Sequence, residues 1–231
     1  MREHSIKVRR SARYYTLGPD DERTVRDVWF VLHGYGQLAA QFIGIFEAVN
    51  DGTRLIVAPE ALNRFYVAGV ETAPAAERGV GATWMTREDR LNEIDDYVAY
   101  LDEVSSAVLD RFRGQGNVPR VVLLGFSQGT ATAARWVGQG ALRPAHLVLW
   151  GGFLPPDAEL SARGHPLRKP ALHVLIGTRD RFASEERIDD EQRRLTDTGL
   201  QARVERYTGG HVIARDALLQ LARSLDSPPN A

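Results

Sequence analysis

Residues 120–139 read RVVLLGFSQGTATAARWVGQ. An apolar, strand-like run stops at Gly125 and an alanine-rich, helix-like run starts at Gln128, so the chain must turn sharply between them. Strand and helix approach closely at such a junction, and small residues are needed there. Gly125 and Gly129 meet that need. The residue between them, Ser127, is then held in a strained backbone conformation at a helix N-terminus. Free N–H groups and the helix dipole favour negative charge at that point.

The surrounding sequence fits this unit. Strand-like runs occur at 25–33, 54–59, 120–125, 146–151, 171–177 and 202–207, and they alternate with helical patterns at 37–49, 91–112, 128–139, 185–198 and 212–225. Alternation of this kind predicts an α/β fold with a mostly parallel central sheet and helices on both faces. Unbroken runs such as VVLL and LVLW suit strands buried on both sides. In the second helix, Leu91, Ile94, Val98, Leu101, Val108 and Phe112 recur at near-helical spacing. The segments IKVRR and ARYYTLG are expected to form a hairpin ahead of the parallel strands. The chain of 231 residues is read as one domain, with residues 227–231 as a frayed tail. Residues 60–90 are long for a connection and rich in Gly, Pro and Ala. They are expected to form a lid or a substrate-pocket wall.

Charge and composition exclude several functions. Lys plus Arg number 29 and Asp plus Glu number 30, well mixed along the chain, so no nucleic-acid partner is expected. No apolar run approaches the ~20 residues of a membrane span, so no stable membrane anchor is expected. The first residues, MREHSIKVRRSAR, lack the apolar core of a secretion signal, and a cytoplasmic location is expected. There are no cysteines, which removes thiolate chemistry and disulfides. Oligomeric state stays open, with an exposed edge strand or an apolar lid able to support a homodimer.

A serine hydroxyl becomes a nucleophile when a base takes its proton and an acid orients the base. Of six histidines, His211 in YTGGHVI follows the last strand and opens the last helix, at the sheet edge where it can reach Ser127. His146 and His173 lie at or in strands and read as packing residues, His165 sits in a charged loop, and His4 lies in the N-terminal arm. Asp180 follows the strand ALHVLIG, and strand carboxyl ends are where α/β sites assemble. An oxyanion formed at Ser127 needs two N–H donors. The Gln128 amide is one. The Tyr35 amide, in the glycine turn HGYGQ, is the other. Phe65, Trp84, Met85, Phe153 and Phe182 are apolar residues in loops or past strand ends and are candidate pocket walls.

The ordered set HGYGQ, GFSQG, GTRD and GGH resembles the α/β-hydrolase superfamily. GFSQG and GGFLP (151–155) are similar to its phospholipase/carboxylesterase branch, which is acyl-protein thioesterase-like. The resemblance covers the chain from about Asp27 to the last helix. It implies a serine esterase or thioesterase acting on a small-molecule ester or thioester, with no metal and no organic cofactor. It implies Ser127 as nucleophile, His211 as base and Asp180 as orienting acid, with the Tyr35 and Gln128 amides as oxyanion donors. The alternatives are lysophospholipase or acyl-protein thioesterase activity on long acyl chains, and a non-catalytic binding protein on the same scaffold. The sequence departs from the branch at Ile176-Gly177, where relatives often carry HG. HGYGQ also lacks an acidic residue common after the oxyanion glycine, and residues 60–90 depart most.

Overall fold

The computed structural model describes residues 1–67, 79–114, 116, 118–158, 160, 162 and 164–226. The described residues form nine strands: β1 (Tyr14–Leu17), β2 (Asp27–Leu32), β3 (Arg54–Pro59), β4 (Asn63–Tyr66), β5 (Val80–Thr83), β6 (Arg120–Phe126), β7 (His146–Trp150), β8 (Ala171–Gly177) and β9 (Ala202–Tyr207). The helices are α1 (Ala39–Phe42), α2 (Arg90–Leu109), α3 (Gln128–Gln139), α4 (Glu185–Thr198) and α5 (Arg215–Asp226). Seven strands form one sheet in the order β1-β3-β2-β6-β7-β8-β9. All its pairings are parallel except β1 with β3. This is an α/β-hydrolase fold, with a mostly parallel sheet between two helical layers.

The period of two along each strand divides the core. Val28, Phe30 and Leu32 of β2 face α2 and α3, in the layer that holds Tyr97, Leu101 and Trp136. Trp29 and Val31 face α1 and α5, against Phe42, Leu218 and Leu221. Both faces of β2 and β3 are buried along their whole length, which is why their sequences, after the ion-paired Asp27 and Arg54 that open them, run apolar rather than alternating.

Three local expectations change. Residues 6–10 form no strand, and Ile6 and Val8 stay exposed. β1 instead pairs antiparallel with β3, where Tyr15 and Leu17 gain an apolar layer to pack on, so there is no N-terminal hairpin. The expected helix at 37–49 is one α-turn over α1 and then a tighter 3-10 run over Ile43–Val49. Gly44 and the β-branched Ile43 and Ile45 weaken α-helix there. The last helix begins at Arg215, so His211 lies in the loop before it.

The long excursion after β3 contains an antiparallel hairpin of β4 and β5, running from Asn63↔Thr83 to Tyr66↔Val80. The Val67 N–H donates to Gly79 O at 3.0 Å beyond the last pair. Residues 68–78, on which part of the lid expectation falls, lie outside the described residues, as do residues 227–231. No described helix is long and apolar enough to cross a membrane.

Candidate active site

β6 ends at Phe126 and α3 begins at Gln128, leaving Ser127 alone at the turn. Its φ is +53° and its ψ is −115°. Apart from Asp89, it is the one described non-glycine residue with positive φ. The flanking glycines are required by contact. A Cβ on Gly125 would lie 2.1 Å from Gly129 O, and one on Gly129 would lie 2.4 Å from Leu32 O. The Ser127 N–H donates to Trp150 O at 2.9 Å, which ties the turn to β7.

The carboxyl ends of the strands bring three distant residues together. His211 Nε2 is 2.8 Å from Ser127 Oγ. His211 Nδ1 is 2.8 Å from Asp180 Oδ2. A carboxylate can only accept, so Nδ1 carries the imidazole proton toward Asp180 and Nε2 is free to accept from the Ser127 hydroxyl. Asp180 is buried, and its other oxygen accepts the Phe182 N–H at 2.9 Å. The imidazole lies between two rings, with Phe126 at 5.0 Å and Phe182 at 4.7 Å between centroids.

The loop carrying His211 is held from below by two residues that sequence reading did not single out. The Trp150 indole N–H points at Val212 O (3.1 Å) and at the Tyr207 hydroxyl (2.9 Å). Tyr207 in turn donates to Val212 O at 2.5 Å. Burial pushes the Tyr207 pKa up, so the phenol keeps the proton it donates. The only sequence signal is that Tyr207 closes a strand four residues before His211.

The loop after β2 has a defined donor pattern. His33 is fully buried, accepts the Ala61 N–H on Nε2 at 3.1 Å and so donates from Nδ1 to Gly34 O at 2.8 Å. Burial lowers its pKa and keeps it neutral. The Gly34 N–H is taken by Gln37 Oε1 at 2.8 Å and the Gly36 N–H by Ala82 O at 2.9 Å. Among the described residues, the Tyr35 and Gln128 amides have no acceptor.

A cleft of about 710 Å³ opens beside Ser127 and His211. Phe153, Leu154, Pro155 and Phe182 line it on the apolar side, and Arg135, Glu191 and Arg194 on the polar side. Phe153 and Phe182 are both among these lining residues. Trp84 is not. It is buried in the core beneath the site and its indole donates to His33 O at 2.8 Å, because a large ring with one N–H is most stable packed and satisfied. Met85 packs against the same core with its sulfur 3.4 Å from Arg135 Nη1, and Phe65 stacks on Tyr35 at 5.0 Å. Neither belongs to the described lining of this cleft. His146 and His173 pair with each other, Nδ1 to Nε2, at 3.2 Å, well away on the strands. His165 caps a short 3-10 turn by accepting the Leu167 N–H.

No curated protein matches the sequence significantly. Solved structures do resemble the fold. Carboxylesterase from Mesorhizobium loti is 16% identical, with a TM-score of 0.69 over 94% of this chain and 95% of that one. Acyl-protein thioesterase 2 from Zea mays is 16% identical, with a TM-score of 0.67 over 93% and 98%. A phospholipase/carboxylesterase from Dyadobacter fermentans is 19% identical, with a TM-score of 0.62 over 93% and 96%. These likenesses concern the fold. The sequence itself matches the family described as serine hydrolase (FSH1) over residues 29–220, a span that contains Ser127, Asp180 and His211. The chain belongs to the serine hydrolase (FSH1) family.

Proposed function

We propose that the protein is a serine carboxylesterase that hydrolyses small-molecule carboxylic esters or thioesters through an acyl-Ser127 intermediate. The observation that carries this reading is the unbroken hydrogen-bond chain from Ser127 Oγ through His211 to Asp180, 2.8 Å at each step, at a serine whose backbone is strained outward. His211 takes the Ser127 proton as Oγ attacks the carbonyl carbon, and the carbonyl electron pair moves to oxygen. The Tyr35 and Gln128 amides hold that oxyanion. The intermediate collapses, the bond to the leaving group breaks, and His211 returns the proton to it. Water then attacks the acyl-enzyme with His211 again as base, releasing the acid and restoring Ser127. Asp180 keeps the imidazole in the productive tautomer throughout. The acyl group occupies the cleft of Phe153 and Phe182, and the β4–β5 hairpin bounds the site on the side of the Tyr35 loop.

Hydrolysis of p-nitrophenyl esters from acetyl to dodecanoyl tests this, with Ser127→Ala alongside. Wild type is expected to turn over, and Ser127→Ala to lose about 10⁴-fold or more in kcat. Retained turnover in the variant would refute the acyl-serine route. A maximum at short chains makes the protein a small-ester carboxylesterase. A rise toward dodecanoyl favours lysophospholipid or acyl-thioester substrates. A wild type that neither hydrolyses the series nor labels with a fluorophosphonate would be a binding protein on a hydrolase scaffold.

A further inference from the structure

The two free amides come from distant parts of the sequence, yet one element touches both of their segments. On one side, β5 pairs with the loop after β2. The Gly36 N–H donates to Ala82 O at 2.9 Å, and the Ala82 N–H returns to Gln37 O at 3.2 Å. The approach is too close for any side chain, since a Cβ on Gly81 would sit 2.5 Å from Gly36 O. On the other side, the Gln128 side chain grips the residues that end β5. Its Oε1 accepts the Trp84 N–H at 3.1 Å, and its Nε2 donates to Met85 O and to Thr83 Oγ1, both at 2.9 Å.

We propose that β5 and the Thr83–Met85 segment act as a bracket that sets the spacing and direction of the Tyr35 and Gln128 amides, with Gly81 and the Gln128 side chain as positioning residues. The inference rests on the acyl-serine reading above. Oxyanion donors act over about 2.7–3.1 Å to an oxygen that exists only along the reaction path, so a small displacement of either amide weakens the transition state and leaves the bound ester largely unaffected. Gln128 thus contributes twice. Its backbone N–H faces the oxyanion, and its carboxamide fixes where that N–H points.

The test is steady-state kinetics on a p-nitrophenyl ester with Gln128→Met and Gly81→Ala, together with inhibition by an alkyl trifluoromethyl ketone. This ketone forms a tetrahedral adduct with an active serine. Met is about the length of Gln, cannot make the bracket bonds and keeps the backbone amide. In both variants kcat is expected to fall about 10- to 100-fold with KM within about 3-fold, and the ketone Ki to weaken in proportion to kcat/KM. Thermal unfolding checks that the variants are folded, and if Gly81→Ala is not, Gln128→Met decides alone. A folded Gln128→Met with kcat within about 2-fold of wild type overturns the bracket, as does a loss confined to KM with Ki unchanged. Ester hydrolysis that survives Ser127→Ala in the same assay removes the acyl-serine reading itself, and the bracket with it.

Discussion

Ser127 holds a backbone conformation that residues other than glycine seldom adopt, at φ +53°. Such strain costs on the order of 1–3 kcal/mol and persists only because the surrounding contacts enforce it. Those contacts are the Ser127 N–H bond to Trp150 O and the close passage of Gly125 and Gly129. A stability experiment reads the strain directly. Ser127→Gly should be more stable than Ser127→Ala by about 1 kcal/mol in urea unfolding, although glycine normally lowers stability by ordering a freer chain. Equal or lower stability of the glycine variant would mean the turn is unstrained. At this scale the sequence was informative where a residue sits beside a backbone signal. Ser127 stands between two glycines, Asp180 just past a strand and His211 after two glycines. It was uninformative for Gln37, Trp150 and Tyr207. Their contacts join segments that no local pattern connects, and for the ring N–H of Trp150 or the carboxamide of Gln37 any of several partners was chemically adequate.

At the level of elements, the inner strand runs were legible because burial on both faces leaves a nearly unbroken apolar record. The excursion after β3 was not, because its structure is made by cross-chain polar contacts rather than by periodicity. Glu60 is the centre of those contacts. Buried at the end of β3, it takes Arg13 at 2.7 Å, Arg64 at 2.6 Å and the Ala39 N–H at 3.3 Å, so it joins the chain before β1, the start of α1 and β4. Burial alone would raise its pKa, but the hydrogen bonds from Arg13 and Arg64 outweigh it and hold the carboxyl below its ordinary value. Glu60→Gln should therefore cost about 2 kcal/mol at neutral pH. A carboxyl whose folded pKa is depressed contributes stability above its unfolded pKa and loses it as pH falls through the folded value. The gap between wild type and Glu60→Gln should then close in acid, below the ordinary carboxylate range. A gap independent of pH would show that shape rather than charge is what the site needs. The misread N-terminal hairpin has the same origin. ARYYTLG carries a strand pattern, but its partner is fixed by the open edge of β3 and by Glu60, neither of which is local to it.

Across the whole molecule, the sheet separates two kinds of chemistry. Its carboxyl edge carries Ser127, Asp180 and His211. Its opposite edge carries Asp27 paired with Arg120, and Arg54 paired with Asp226 at the end of α5. The His146–His173 pair lies toward that second edge. Burial, the neighbouring His146 and Arg203 together push the His173 pKa down to about 4. Burial and Arg120 lower that of His146, with Asp27 opposing. A histidine whose folded pKa lies below its unfolded value of ~6.5 stabilises the fold fully above that value. The stabilisation is lost as pH falls from ~6.5 toward ~4, where the unfolded chain binds more protons. The unfolding free energy should drop by on the order of 2 kcal/mol across this window, and His173→Leu should flatten the drop. An unchanged slope in His173→Leu would assign the acid sensitivity to other groups. Because the pair lies far from Ser127, the slope should be the same in Ser127→Ala.

The hairpin ladder between β4 and β5 closes with the Val67 N–H on Gly79 O, on the far side of the bracket from Gly36 and Gln128. Insertions or deletions between those two residues leave every bracket hydrogen bond in place. The geometry proposed to give rate is thereby fixed at one end of the hairpin and makes no demand on the length of chain at the other.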